Sequence, residues 1–221
     1  MGERIRASMP PGAVFAGGEI SAAASPLFPE EEAAVRNAVP KRRAEFRAGR
    51  AYARAALAEL GVAATAIAAG KDRAPVWPVT ITASITHDDT YCGVMAARTS
   101  DFSSVGIDIE SAAPLGELSP YVCSAAELEQ CAQLGDTVAA DVAKLIFCAK
   151  ESAYKAYYAL ARVVLEFADV EIRLSPSDET FTASIRAGAL PMPNFGRTIQ
   201  GRFLALGSHV VTWTAIPDLA G

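Results

Sequence analysis

The stretch VGIDIE at residues 105–110 places two carboxylates, Asp108 and Glu110, among small and β-branched apolar residues. This pattern predicts a strand, in which alternate side chains share a face, so both acids point to one side and Ile107 and Ile109 point to the other. Carboxylates about 6–7 Å apart on one strand face repel each other. The stretch therefore predicts either a solvated face beside a turn or a site for a cation.

The composition is typical of a folded globular protein with one large domain or two small ones. The 221 residues are 51% hydrophobic and 20% charged, and the formal net charge of −5 argues against nucleic-acid binding. No segment has a secretory h-region or the roughly 18 apolar residues of a membrane span. The four cysteines lack metal-ligand spacing and only two histidines are present, so zinc is not expected. We therefore expect a cytoplasmic protein with reduced thiols and no membrane partner.

Helical and strand-like segments follow each other in the same order twice along the chain. After a stretch at 1–28 that is expected to meander, the first half has helices at 29–35 and 41–60 and strands at 79–85, 91–98 and 104–110. The second half has helices at 124–132 and 137–161 and strands at 170–176, 180–187, 198–206 and 209–216. This order predicts an α+β fold of two similar halves, 1–110 and 111–221, related by a pseudo-twofold axis. Each half is expected to pack helices on a small, mostly antiparallel sheet.

The segment at residues 144–161, KLIFCAKESAYKAYYALA, predicts a long helix with an acid at the edge of an aromatic stripe. At about 100° per residue, Glu151 lies roughly 20° beyond Tyr158. One interpretation is an exposed ion pair between Glu151 and Lys155, four residues further on. The other interpretation joins Glu151 to the acids of the strand.

Three carboxylates would form a site if the helix packs over the end of the strand. Asp108, Glu110 and Glu151, together with waters and a substrate phosphate, would provide the octahedral oxygen ligands that Mg²⁺ prefers. A bound cation would also relieve the repulsion between the two acids of the strand.

These motifs together resemble the paired signature of the 4′-phosphopantetheinyl transferases. VGIDIE is followed about forty residues later by FCAKESAYKA (147–156). Three upstream segments are similar to motifs of the long, monomeric, surfactin- and enterobactin-activating subclass: KRRAEFRAGRAYARAAL (41–57), APVWP (74–78) and SITH (84–87). The resemblance implies a monomeric enzyme that moves phosphopantetheine from coenzyme A to a serine of an acyl or peptidyl carrier protein. The other product would be 3′,5′-ADP, and the carriers would serve fatty-acid, polyketide or non-ribosomal peptide synthesis.

The resemblance also implies roles for individual residues. Asp108, Glu110 and Glu151 would hold Mg²⁺, or Mn²⁺ in its place. Lys150 and Lys155 would bind the phosphates, with Lys155 near the pyrophosphate. By the chemistry of the reaction, Glu151 is the candidate catalytic base, directly or through a metal-bound water, and Lys155 would neutralise charge on the leaving group. The other coenzyme A contacts implied are His87, assisted by Ser84 or Thr86, and Arg42, Arg50, Lys71 and Arg73. The carrier protein is expected to dock near residues 111–125.

Other interpretations of the same residues stay open. A basic helix can be a solvated face, and a single histidine beside a turn can be structural. Clustered acids also suit a Mg²⁺-dependent phosphoesterase that acts on coenzyme A-like nucleotides. A non-catalytic module that binds coenzyme A or a carrier protein would need no third carboxylate.

Overall fold

The computed structural model describes residues 1–22, 25–135, 137–186 and 198–217, and the chain divides into two compact units. The first unit holds residues 1–103 and the second holds residues 104–217. The boundary lies inside a strand, seven residues before the predicted division after residue 110. The acidic stretch thus belongs to the second unit, because its strand is part of that unit's sheet and not of the first unit's sheet.

The first unit packs helices against a three-stranded antiparallel sheet of order β1-β3-β2. Its helices are α1 (Gly2–Ser8), α2 (Pro29–Val35) and α3 (Pro40–Glu59), and its strands are β1 (Ala13–Glu19), β2 (Ile81–His87) and β3 (Tyr91–Arg98). Small side chains on α3 allow a close approach to the sheet. Ala53, Ala56 and Leu57 are buried against Ile81 and Val94.

The expectation that residues 1–28 meander is wrong, because both α1 and β1 lie within them. Strand β1 pairs with β3 along its whole length, from Ala13 opposite Ala97 to Glu19 opposite Tyr91. The sequence of β1, AVFAGGE, contains two glycines and no alternation of polar and apolar residues, and so it gives little strand signal. Gly17 is required there, because a Cβ would lie 2.8 Å from the carbonyl oxygen of Cys92 on the neighbouring strand.

The second unit packs one long helix and two short ones against a five-stranded sheet of order β4-β8-β7-β6-β5. The helices are α4 (Ser119–Val122), α5 (Ala125–Leu134) and α6 (Val142–Ala161). The strands are β4 (Phe102–Ser111), β5 (Val170–Ser175), β6 (Thr180–Ile185), β7 (Thr198–Ala205) and β8 (His209–Pro217). The core lies between α6 and the sheet, where Leu145, Ile146 and Tyr157 are fully buried.

One glycine of VGIDIE sets the distance between β4 and α6. A Cβ on Gly106 would lie 2.0 Å from the carbonyl oxygen of Ser152 and 2.8 Å from the amide nitrogen of Ala156, so only glycine lets the helix backbone lie directly on the strand. A hydrogen bond from Ser104 Oγ to the Ala156 carbonyl, at 2.7 Å, holds the same contact. This turn of α6 is the one that carries Glu151 and Lys155.

The predicted α+β class is confirmed, and most element bounds agree within two residues. Ser124 and Glu127 form a capping box at the start of α5. Helix α6 begins at Val142 and not at residue 137, because the Asp141 side chain caps it by accepting a hydrogen bond from Lys144 N. The pseudo-twofold axis stays a prediction. No helix among the described residues is long and apolar enough to cross a membrane.

Candidate active site

One face of helix α6 carries three charged side chains above the acids of β4. Lys144, Glu151 and Lys155 lie within roughly 20° of a common direction on the helix, because seven and eleven residues are close to whole numbers of turns. Lys155 Nζ donates to Asp108 Oδ1 at 2.6 Å and to the Ile107 carbonyl at 3.2 Å. The structure therefore joins the Lys-Glu motif to the acidic strand through Lys155 and Asp108.

The hydrogen bonds of Lys155 differ from those of a simple pair with Glu151 at i+4. Burial lowers the pKa of Lys155, but the charge of Asp108 and its hydrogen bond outweigh that effect and leave the pKa raised. Asp108 is buried, whereas the Lys155 side chain keeps 26% of its surface exposed. Lys155 is therefore a firmly protonated cation at the edge of the site.

Glu110 has a lysine partner that the sequence analysis missed. Lys144 Nζ lies 3.4 Å from Glu110 Oε2, and the Lys144 side chain is 12% exposed. The signal for this contact was present, since Lys144 lies seven residues before Glu151 and so on the same face of the helix. Each acid of the β4 face thus meets one lysine of α6.

Glu110 and Glu151 both have a raised pKa. Burial raises the pKa of Glu110, the charge of Asp108 raises it further, and Lys144 opposes both effects. Burial also raises the pKa of Glu151, where Lys155 opposes the shift and the charges of Asp108 and Glu110 add to it. Burial is therefore the largest cause of both raised pKa values, while the neighbouring acids and lysines act on them in opposite directions.

The predicted metal ligands fit a hard divalent cation by their chemistry, although they do not form a finished cage. Carboxylate oxygens are the ligands that Mg²⁺ prefers, and Mg²⁺ commonly takes only one or two of them together with water and phosphate. Within the described part of the chain, no three side chains among His, Cys, Asp and Glu are grouped closely enough to hold a metal ion. Asp108 and Glu110 instead contact the ammonium groups of Lys155 and Lys144.

A cavity of about 200 Å³ opens beside Glu151. Its wall includes Tyr154 from α6 and Val164 and Phe167 from the segment that follows the helix. The ring of Tyr154 packs against that of Tyr158, with centroids 5.7 Å apart. Glu151 therefore borders a recess with both apolar walls and charged residues, among them Lys150 and Glu166.

Lys150, which was predicted to bind phosphate, also lines this cavity, but its ammonium is held by partners inside the protein. It is 2% exposed, and its ammonium donates three hydrogen bonds within the protein. The acceptors are the Val122 carbonyl at 2.8 Å, Glu127 Oε2 at 2.8 Å and the Phe167 carbonyl at 2.9 Å. An ammonium has three N–H donors, so none is left for a phosphate.

In the first unit, the structure brings together two of the predicted coenzyme A ligands. A guanidinium nitrogen of Arg42 lies 3.0 Å from His87 Nε2 and 3.2 Å from Glu45 Oε2. Arg42 and His87 come from different elements, α3 and β2, and meet at the exposed start of α3. Nearby, Lys41 pairs with Asp89 at 2.6 Å.

Other residues predicted for coenzyme A lie apart from this pair. Ser84 and Thr86 are buried, and on strand β2 they alternate with His87 and so point to the opposite face of the sheet. Their predicted assistance to His87 stays a prediction. Arg50 is also buried, and its Nε donates to the Ile67 carbonyl while its guanidinium lies 4.0 Å from the centre of the Phe46 ring. Burial lowers the pKa of Arg50 to about 10.

Lys71 and Arg73 lie on an exposed turn between α3 and β2. The turn is closed by a hydrogen bond from Gly70 N to the Ala74 carbonyl, and Arg73 adopts a left-handed φ of 67°. The side chains project from the surface, where they can reach an anion.

Comparisons with known proteins agree with the two units. Residues 30–97 match the family model of the 4′-phosphopantetheinyl transferase N-terminal domain, and residues 104–209 match that of the 4′-phosphopantetheinyl transferase superfamily. The chain is 39% identical over 202 residues to 4′-phosphopantetheinyl transferase Svp of Streptomyces mobaraensis, covering 88% of this chain and 80% of that protein. It is 38% identical over 151 residues to 4′-phosphopantetheinyl transferase Npt of Nocardia iowensis, covering 68% of this chain and 67% of that protein. It is 34% identical over 157 residues to 4′-phosphopantetheinyl transferase PptT of Mycobacterium tuberculosis, covering 70% of this chain and 68% of that protein. The chain belongs to the 4′-phosphopantetheinyl transferase superfamily.

Proposed function

We propose that this chain transfers the 4′-phosphopantetheine group of coenzyme A to a serine of acyl or peptidyl carrier proteins. The observation that carries the proposal is the face of α6 that sets Glu151 and Lys155 against Asp108. Family membership supports the reaction class, and this arrangement supplies the groups that the reaction needs. The serine oxygen would bond to the phosphorus that bears the pantetheine arm, and the bond from that phosphorus to 3′,5′-ADP would break.

Glu151 is the candidate base for the serine proton. Its pKa is raised by burial and by the charges of Asp108 and Glu110, which makes the carboxylate a stronger proton acceptor than a solvated glutamate. It also borders the cavity, so a substrate in that recess would lie beside it. Part of the rate enhancement would come from holding serine and phosphate together at this position.

Lys155 is the candidate group for the leaving diphosphate. Its raised pKa keeps it protonated at neutral pH, and its partly exposed ammonium can approach an anion without losing Asp108. Asp108, Glu110 and Glu151 would hold Mg²⁺, or Mn²⁺ in its place, which when bound supplies Lewis-acid polarisation of the diphosphate. Coenzyme A would bring phosphate oxygens that the described carboxylates alone do not provide.

The first unit would bind the remaining phosphates of coenzyme A. Arg42 and His87 form a pair of nitrogen donors at an exposed helix start, and Lys71 and Arg73 add positive charge on their turn. The guanidinium of Arg50 is buried against Phe46. Arg50 would therefore stabilise the packing of α3 and would not contact the ligand.

The carrier protein would dock on residues 111–125, which contain helix α4. Leu118, the N-cap residue of α4, is 59% exposed, and Tyr121 within α4 is 80% exposed, so two large apolar side chains meet solvent side by side here. A carrier that presents an apolar helix face beside its serine would cover them.

All four cysteines are free thiols, which supports a reducing, cytoplasmic compartment. We also propose that the protein acts as a monomer.

Incubation with an apo carrier protein, coenzyme A and Mg²⁺ tests the proposal. Mass spectrometry should find a carrier that has gained one phosphopantetheine, and a carrier with the serine replaced by alanine should gain nothing. Release of 3′,5′-ADP without a carrier would instead indicate a phosphoesterase. Tight binding of coenzyme A with no product of either kind would indicate a non-catalytic module.

A further inference from the structure

Lys150 lies at the centre of a buried network that joins five segments of the second unit. Its partner Glu127 is 1% exposed and accepts three hydrogen bonds. Oε2 accepts from Lys150 Nζ at 2.8 Å and from Ser124 N at 2.7 Å, and Oε1 accepts from Ile172 N at 2.7 Å. One carboxylate thus ties α6, the start of α5 and strand β5 together.

The first unit contains the same network, built from other residues. Glu31 is fully buried at the third position of α2, as Glu127 is at the third position of α5. Its Oε2 accepts from the N-cap nitrogen of Phe28 at 2.9 Å, its Oε1 accepts from Ile67 N at 2.8 Å, and Arg54 of the long helix α3 donates to both oxygens at 3.0 Å.

The two cations match in a further contact. Arg54 also donates to the carbonyl of Pro26, two residues before the N-cap of its short helix, at 2.8 Å. Lys150 donates to the carbonyl of Val122, two residues before the N-cap Ser124. Arg54 and Lys150 thus make equivalent contacts in the two units. Because Arg54 holds the fold of the first unit together, we expect Lys150 to be a structural cation as well. This is an independent reason not to assign Lys150 to phosphate.

The acceptors of Lys150 lie in the segments that surround Glu151. Val122 ends helix α4, which carries Tyr121 and follows Leu118, and Phe167 belongs to the wall of the cavity beside Glu151. Val164 of the same wall segment is 65% exposed. One ammonium therefore fixes the apolar docking helix, the cavity wall and the helical turn of Glu151 relative to one another.

We propose that Lys150 is a positioning residue, whose buried ion pair with Glu127 holds Glu151, the cavity wall and the carrier-docking helix α4 in register. This inference rests on the proposed function for its catalytic consequence. Its structural part, the rigid connection of residues 111–125 and 162–167 through Lys150, stands without it. A buried cation that loses one acceptor is strongly destabilised, so the network adopts one arrangement.

Steady-state kinetics of Lys150→Met separate positioning from phosphate binding. We expect kcat to fall about 100-fold, the effect of misplacing a catalytic group by about 1 Å, and the KM for coenzyme A to stay within about twofold of wild type. Hydrogen exchange of the free variant should accelerate in peptides that cover residues 111–125 and 162–170. Arg54→Met is the matched control, because it removes the equivalent cation of the first unit. It should accelerate exchange around residues 26–31 and 67, and it should leave residues 111–125 unchanged.

A test on the unaltered protein covers the case in which Lys150→Met does not fold. Reductive methylation with formaldehyde, followed by peptide mass spectrometry, should leave Lys150 unmodified with or without coenzyme A, while the exposed Lys71 is modified. Methylation of Lys150 that coenzyme A blocks would overturn the proposal, as would a tenfold rise in the KM for coenzyme A with unchanged exchange. If the wild type fails to label any carrier protein, the proposed function fails, while the exchange and methylation results still decide the role of Lys150.

Discussion

Replacing Gly106 by alanine should push helix α6 away from strand β4 and remove activity with it. The added Cβ would lie 2.0 Å from the Ser152 carbonyl oxygen and 2.8 Å from the Ala156 amide nitrogen, whereas ordinary contact begins at 3.4 Å. Both atoms belong to the helix backbone, which cannot rotate aside as a side chain can. The helix must therefore retreat by about 1 Å or more, because a close-packed core has no free volume to absorb the methyl group.

The size of the effect follows from that displacement. Overpacking of a core typically costs about 1–3 kcal/mol, and a clash with backbone places this variant at the upper end. For a chain of this size, about 3 kcal/mol corresponds to a fall in Tm of roughly 6–12 °C. Glu151 and Lys155 lie on the displaced turn, so kcat should fall about 100-fold for a shift of about 1 Å.

Calorimetry and carrier labelling measure the two effects in one set of proteins. Gly135→Ala is the control, since a Cβ there would make only an ordinary 3.4 Å contact with the Cys131 carbonyl in the same unit. It should change stability by less than about 0.5 kcal/mol and leave labelling intact. A Gly106→Ala protein with the Tm and kcat of the wild type would refute the close packing of α6 on β4 and the site derived from it.

Three further substitutions test individual residues of the site. Asp108→Asn should reduce carrier labelling about 100-fold or more, and full activity would exclude Asp108 from the site. Glu151→Gln should be inactive yet no less stable than the wild type at neutral pH, because the raised pKa of Glu151 makes its ionised form unfavourable in the folded state. This difference in the free energy of unfolding should shrink as pH falls through the raised pKa, and a Glu151→Gln protein that is clearly less stable at pH 7 would contradict the assignment. His87→Ala should raise the KM for coenzyme A about tenfold by removing a contact to a charged group, without changing the KM for the carrier protein, and an unchanged coenzyme A KM would leave His87 a structural partner of Arg42.

Local patterns were sufficient to predict much of the second unit. Ser124 and Glu127 specified the start of α5, because a capping box involves only residues three apart. The alternation of side chains along a strand placed Asp108 and Glu110 on one face. Helical periodicity also places Lys144 on the face of Glu151, although this contact was not predicted. The same alternation in SITH places Ser84 and His87 on opposite faces of the strand.

Contacts between distant segments could not be predicted in the same way. Lys150 resembles an exposed lysine in sequence, and its burial depends on Glu127, which lies 23 residues away along the chain. Strand β1 is stabilised by its pairing with β3 and has little propensity of its own. In both cases the segment that determines the structure is distant in sequence, so the neighbouring residues do not predict the contact.

Lys150 and Glu151 are adjacent in sequence but lie on different sides of α6, and this explains why the motif has them in this order. Neighbouring residues on a helix point about 100° apart, so a lysine fixed among buried acceptors leaves the following glutamate on a different side of the helix. Gly106 fixes the helix from the strand side, since it alone allows the backbone at Ser152 to lie so close. With one restraint on each side, α6 can neither rotate nor lift without breaking a buried ion pair or opening a void. The proposed catalytic groups of the motif therefore depend for their geometry on two residues, Lys150 and Gly106, that take no part in the chemistry themselves.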